Sequence, residues 1–343
     1  MPLSFLPFFR QTTHDPALFL TTLLLLGVLL VNGWTDAPNA ISGAVVTGAL
    51  SFRGAVLLAA VCNFLGVLCV TSVNASVAET VYSIARFGGG PRAALTALCA
   101  AMTAIVLWAV LAWRFGIPTS ESHALIAGIS GAALALEGSF SCINWVSWAK
   151  VLLGLGLSTL AGFWAGETAS KQLSHVKVKD TTFLLAQIPG AAGTAFLHGA
   201  QDGQKFLGVF LLSAALARGD GSQVMGHPPL WLMALCAGFM ALGTLMGGQK
   251  IIDTVGREMV SIGPREGLAA DAATMGCLLL STLLGLPVST THTRTAALLG
   301  VGCTGVCRPR WSVAGKIGLM WLFTFPGCMV IGYWTARIFL SCR

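Results

Sequence analysis

A chain of 343 residues that is 55% hydrophobic and only 10% charged, with a mean hydropathy of +0.79, lies far from the roughly 25% charged content of soluble domains. That composition points away from a soluble enzyme and toward an integral membrane protein. The net charge of +7 sits in short loops such as "KQLSHVKVK" and "CRPRWSVAGK", as basic residues do at cytoplasmic loop ends, and no soluble domain exists to carry a nucleic-acid surface.

In chain order, apolar segments are expected at 17–31, 55–73, 93–113, 143–165, 183–196, 230–246, 268–286 and 313–338. Several reach the ~20 residues that cross a bilayer as a helix, and their continuous apolarity excludes the alternating pattern of a β-barrel. The fold class is therefore an all-α polytopic membrane protein surrounded by lipid. Short loops and a small chain suggest a prokaryotic cytoplasmic (cell) membrane. The first segment reads as a span rather than a cleaved signal, because no small-residue cleavage site follows it. The ten cysteines form no C-x-x-C pair and lie mostly inside apolar runs, so they read as small core residues rather than metal ligands.

The strongly polar stretch near the middle divides the chain into a first membrane repeat (1–166), a polar connecting loop (167–181) and a second membrane repeat (182–343). Internal similarity supports that division. "NGWTDAPNAISGAVV" (32–46) has the layout of "HGAQDGQKFLGVFLL" (198–212), and "GIPTSESHALIAGISG" (116–131) that of "GLPVSTTHTRTAALLG" (285–300). A weaker pair is "ETV" at 79–81 and "DTV" at 253–255. Asp36 precedes Pro118 by 82 residues and Asp202 precedes Pro287 by 85, so the order and the spacing both repeat. Duplicated halves with polar, Gly/Pro-interrupted segments at matching positions indicate a secondary transporter whose site lies where the repeats meet.

A carboxylate at membrane depth is costly and normally faces a partner, an ion or water, which makes Asp36 and Asp202 functional candidates. Gly33 with Pro38, and Gly199 with Gly203, are expected to interrupt their helices and free backbone carbonyls that, with Asp36, Asn39 and Asp202, would suit Na⁺. "PTSESH" and "PVSTTH" place a proline at an expected first helical turn, followed by clustered hydroxyls. Free amides and the positive end of the helix dipole would then face an oxyanion. Two such half-helices would cradle a tetrahedral anion with Thr119, Ser120, Ser122, Ser289, Thr290 and Thr291.

Together "NGWTDAPNA", "HGAQDGQK", "GIPTSESH" and "GLPVSTTH", with "GGQKIIDTVGREM" before the last, resemble the duplicated signatures of the inorganic phosphate transporter family. The resemblance covers nearly the whole chain. It implies two inverted-topology repeats with broken or re-entrant half-helices meeting at the bilayer midplane, inorganic phosphate held by the Ser/Thr motifs, and a coupling ion, H⁺ or Na⁺, held around the Asp motifs. No organic cofactor is implied. Sulfate carriers occur within the family, so sulfate or another tetrahedral oxyanion is the alternative cargo, and a homodimer is plausible on the same ground.

The halves differ in informative ways. Asn32 corresponds to His198, Thr35 to Gln201 and Asn39 to Lys205, so the second copy carries an ammonium where a neutral amide would help bind a cation. Lys205 is expected to pair with Asp202 or to contact the anion. Glu121 corresponds to Thr290, and a carboxylate beside an anion favours its protonated form and can carry a proton. Asn32, Asp36, Asn39, Gln201, Asp202 and Glu121 are the cation or proton candidates, and the balance favours H⁺ coupling.

Blander readings compete. Helix caps at an interface are the bland alternative for Asp36 and Asp202, and the repetition argues against it. Ser and Thr also serve as packing between spans. His123 and His292 are expected mainly to hold their motifs. Glu79, Asp253 and Gln204 are secondary candidates, the first two being equally readable as solvated interfacial charges. An intramembrane hydrolase using Ser120 or Ser122 with His123 is disfavoured, since adjacent residues on one helix diverge and a single hydrolytic centre needs no duplicate. A passive anion channel differs only in lacking accumulation, and a scaffold needs no paired carboxylates.

Overall fold

The computed structural model describes residues 3–219, 227–305 and 308–342. Among these the regular structure is all helical, apart from a single isolated bridge between Ala85 and Ile143. The first half holds α1 (Phe5–His14), α2 (Pro16–Thr35), α3 (Pro38–Val46), α4 (Phe52–Val73), α5 (Ser76–Tyr82), α6 (Pro91–Arg114), α7 (Glu121–Glu137) and α8 (Trp145–Ser174). The second holds α9 (Asp180–Ala217), α10 (Leu230–Leu245), α11 (Gln249–Asp253) running into a π-helical turn at Thr254–Met259, α12 (Pro264–Leu283), α13 (Thr290–Gly302) and α14 (Trp311–Ser341).

Local chemistry sets many of these ends. Asp15 accepts from the amides of Ala17 and Leu18 to start α2, Ser51 caps α4 and Asn144 caps α8. Pro16, Pro91 and Pro264 occupy first-turn positions, where no N–H is needed. Gly138 ends α7 in the left-handed region at φ +67°.

Among the described residues five helices are long and apolar enough to cross a membrane, with α2 and α3 taken together as 16–46, and α10 plus 249–259 make a sixth if that pair, bent by 69°, is one span. The bend falls at Gly247 and Gly248, both at positive φ. Leucines and aromatics stay exposed along α8 (Leu153, Leu157, Leu160) and α14 (Leu319, Leu322, Phe323), which gives the bundle lipid-facing flanks.

Packing is duplicated. α7 lies against α6 and α14, and α13 lies against α12 and α8, so the short helix of each half packs on the last long helix of the other. Likewise α9 lies on α4, and α2 on α10. Glycines make each of these contacts close, and they come in matched sets. A Cβ on Gly33 would overlap the Met240 backbone and one on Gly243 the Leu30 backbone, between α2 and α10. Gly199 and Gly66 do the same between α9 and α4. Gly131 and Gly332 join α7 to α14, as Gly300 and Gly166 join α13 to α8. Small residues that let backbones touch are the usual means of helix association where lipid removes the hydrophobic driving force.

Two expectations change. The polar stretch at 167–181 is not mainly a loop: α8 continues to Ser174, with Lys171 reaching Glu167 one turn back, and only 175–179 connect it to α9. The Asp motif of the second half does not interrupt its helix. α9 runs unbroken from 180 to 217 through Gly199 and Gly203, because these glycines are spent on close approach to Asn63 and Val67 of α4. In the first half the break occurs as expected, between α2 and α3, where Pro38 has no N–H and Asp36 and Ala37 both turn back to the Asn32 carbonyl.

Candidate functional site

The four motifs converge inside the bundle. The α2–α3 break supplies Asn32, Thr35, Asp36 and Asn39, mid-α9 supplies His198, Gln201, Asp202, Gln204 and Lys205, and the starts of α7 and α13 supply the hydroxyls; all of these side chains are buried. Each Asp motif reaches the hydroxyl motif of the other half. Thr291 donates to Asp36, and Asn39 Nδ2 donates to Asp36 Oδ1 at 3.0 Å and to Thr291 Oγ1 at 3.3 Å. In the matching place Lys205 Nζ donates to Asp202 Oδ1 at 2.6 Å and to Ser122 Oγ at 2.7 Å, and also reaches the Val288 carbonyl. Asn32 Nδ2 ties the halves together by donating to Asp202 Oδ2 at 3.1 Å.

The helix starts differ from the sequence expectation. Pro118 and Pro287 lie three residues ahead of α7 and α13, outside the first turn. Ser120 and Ser289 are the cap residues instead, and each accepts from the amide of the histidine three residues on, at 3.4 and 3.2 Å. Thr119 is buried just before the first cap. The two starts face each other, since the His123 and His292 rings meet edge to face at 4.6 Å. His292 also stacks on Trp321 at 3.6 Å and His123 lies 4.6 Å from Phe325, which packs both imidazoles in place.

Charge is uneven. Asp202 faces Lys205, whereas Asp36 accepts from Thr291 and Asn39, and Glu121 Oε1 accepts from Thr35. Several buried polar atoms have no aligned partner: Asn32 Oδ1, Asn39 Oδ1, Glu121 Oε2, Thr290 Oγ1 and both amide atoms of Gln204. Buried polar groups are almost always satisfied, so these atoms are open to an ion, water or a polar ligand. Asp36, Asp202 and His198 bring ligand atoms within 4.8 Å of one another. The His198 ring, 2.9 Å from Asn63 Oδ1 through Nδ1, directs Nε2 toward Asp202 Oδ2 at 3.5 Å.

Other candidates fall elsewhere. Glu79 is exposed on α5, and Asp253 pairs with Arg257 at 2.8 Å and Gln249 at 3.2 Å, so neither is brought to the cluster. Gln201 bonds Thr282 at 2.9 Å and bridges toward Leu286 and Val288, which braces the loop before α13 rather than facing Asp36. Sequence reasoning missed the buried pair Asp271–Arg294 and the Asn63–Thr244 bond at 3.1 Å. Arg294 was visible within "PVSTTHTR", because a guanidinium inside a small-residue helix is itself a signal.

The motif order is that of a known family. A family model described as "Phosphate transporter family" matches residues 32–182 and again 167–332, one match for each half. The chain belongs to the phosphate transporter family. Relatives described as "Probable low-affinity inorganic phosphate transporter" include one from Bacillus subtilis (strain 168), 34% identical over 93% of this chain and 96% of its own length. One from Rhizobium meliloti (strain 1021) is 35% identical over 90% and 94%. A solved structure titled "The sodium-dependent phosphate transporter" shares the fold at a TM-score of 0.84, with 21% identity over 96% of this chain and 100% of that one. This phosphate transporter family member is thus a transport protein rather than an enzyme, built from membrane-type helices.

Proposed function

We propose that this protein is a secondary active transporter of inorganic phosphate in a prokaryotic cytoplasmic membrane, working by alternating access between two inverted repeats and driven by H⁺. The observation that carries the reading is the crossed pairing of the motifs, Asp36 with Thr291 and Asp202–Lys205 with Ser122, inside one buried cluster. Relatives named as phosphate transporters support the choice of cargo.

The anion lies between the starts of α7 and α13, where helix dipoles, backbone amides and the hydroxyls of Ser120, Ser122, Ser289, Thr290 and Thr291 stabilise its charge. Because each motif bonds across the halves, moving one half against the other breaks and remakes the walls of the same site. The ammonium of Lys205, held among Asp202, Ser122 and the Val288 carbonyl, takes the place of a bound cation tethered to the chain. What remains for a mobile ion is the first-half pair of carboxylates. Glu121, with Oε2 unpartnered and Thr35 on Oε1, carries the proton, and Asp36 holds the hydroxyl of Thr291 against the anion.

Counterflow of labelled phosphate in proteoliposomes tests the carrier reading. A carrier accumulates label against a preloaded phosphate pool, whereas a channel only equilibrates it and a scaffold does neither. An excess of unlabelled sulfate separates the cargoes, since it leaves phosphate counterflow intact if phosphate is the substrate.

A further inference from the structure

The Asp271–Arg294 pair belongs to none of the four motif contacts. Arg294 is 1% exposed and Asp271 0%, with Nη1 2.6 Å from Oδ1. Beyond that contact, Nε and Nη2 of Arg294 and Oδ2 of Asp271 have no hydrogen-bond partner among the described residues. Two ions taken out of water at a cost of several kcal/mol each would be expected to satisfy their remaining donors and acceptors if their purpose were stability. The pair instead spends one edge of the fork on Asp271 and leaves Nε and Nη2 without a further partner.

Its position gives the fork a use. On α3, Gly43 comes four residues after Asn39. On α13, Arg294 comes three after Thr291. The pair therefore sits one helical turn, about 5 Å, from the Asp36 cluster. It is housed where two glycines make room: a Cβ on Gly43 would come within 2.6 Å of Arg294 Nη2, and one on Gly190 within 3.1 Å of Asp271 Oδ2. A further turn along the same faces, Thr47 donates to Gln187 Oε1 at 2.7 Å and Gln187 Nε2 reaches the Pro264 carbonyl. Beyond Thr47 lies the turn to α4, with Gly48 and Ser51 exposed. Polar groups thus continue from the central cluster to one face of the bundle between α3, α9, α12 and α13, and the ion pair closes that lane. The other half has no such feature. Leu125 stands in the motif register of Arg294 and Leu98 in that of Asp271 counted from the helix-starting prolines, and both are fully buried.

We infer that Asp271 and Arg294 form a gate and a second oxyanion station on the route between the central site and the face carrying the Thr47–Ser51 turn, with the guanidinium exchanging the Asp271 carboxylate for the passing phosphate. A planar fork binds a phosphate through two parallel N–H bonds as well as it binds a carboxylate, so the exchange conserves charge pairing throughout. The released Asp271 faces the opened lane and its water. The inference rests on the phosphate-carrier reading above.

The test uses purified full-length protein in proteoliposomes with labelled phosphate, and equilibrium binding of the same label in detergent. Asp271→Leu combined with Arg294→Leu copies the first half. It is expected to bind phosphate as the parent does while uptake falls by about tenfold or more, the loss of one charge-assisted contact in the rate-limiting passage. Arg294→Lys keeps the ion pair without the fork. It is expected to bind normally and to lose about fivefold in uptake, because an ammonium makes point contacts only; this variant decides the matter should the double variant fail to fold. Uptake within twofold of the parent in either folded variant overturns the gate, as does loss of binding in parallel with uptake. If the parent itself moves no phosphate, it is the carrier reading that fails.

Discussion

The two Asp motifs answer the same structural problem with different chemistry. In the first half Asp36 is held by an amide and a hydroxyl, Asn39 and Thr291. In the second, Asp202 is held by an ammonium and a hydroxyl, Lys205 and Ser122. The backbones differ accordingly. The first motif breaks its helix after Thr35 and the second runs straight through α9. On the proposed reading, a motif that neutralises its carboxylate internally needs no freed carbonyls for a cation, in keeping with the unbroken α9. The first half, with Asp36 and Glu121 both lacking a cationic partner, keeps the opening and the titratable groups. On the reading proposed above, the second motif's own ammonium leaves the first motif as the position for a mobile ion.

Removing the charge on the open side tests this asymmetry most severely. Asp36→Asn gives up a charge-assisted hydrogen bond, about 1.5–3 kcal/mol, so phosphate uptake is expected to fall roughly 10- to 100-fold while the protein still elutes as a folded species. An uptake rate within twofold of the parent would make the Asp36 charge dispensable. Lys205→Asn then converts the second motif into a copy of the first. It leaves Asp202 unpaired at a cost of about 3–5 kcal/mol, and NaCl is expected to raise its melting temperature relative to choline chloride, because a cation that binds only the folded state stabilises it. The parent should show no such difference; equal melting in both salts for the variant would remove the tethered-cation account of Lys205. The smallest effect is expected at the caps. Ser120→Ala and Ser289→Ala lose the bond to the histidine amide and a donor to the anion, each worth about 1 kcal/mol, so phosphate affinity should weaken by roughly fivefold or more. Thr119→Ala, just outside the helix, should change affinity less than twofold by the same titration. Equal effects at all three positions would count against a paired cradle.

How far the sequence reached follows the same division. Six of the eight apolar runs fall in helices that meet the length and apolarity of a span, counting the bent 230–259 pair, because a bilayer demands both and both are local properties; 183–196 and 268–286 lie in α9 and α12, which do not. The repeated motifs located the buried cluster, because polar groups inside such runs stand out against their neighbours. What could not be read were features that depend on a distant partner. Gly199 and Gly203 look like helix breakers in one dimension, and only the presence of Asn63 and Val67 across the contact turns them into packing positions. The prolines at 118 and 287 suggest helix starts, yet the side chains of Ser120 and Ser289 cap the amides three residues on and set the start later. Arg294 was in plain view in its motif. Its meaning depended on Asp271, a residue 23 positions earlier on another helix, which no spacing rule connects to it.

The central claim is that the retained first-half carboxylates take a proton while Lys205 stands in for the second cation. It is tested most directly by labelled phosphate uptake into proteoliposomes in choline medium, with and without an inward-directed proton gradient. Undiminished uptake without Na⁺, accelerated by the gradient and collapsed by a protonophore, is the predicted result. Uptake that requires Na⁺ and ignores the proton gradient would contradict it.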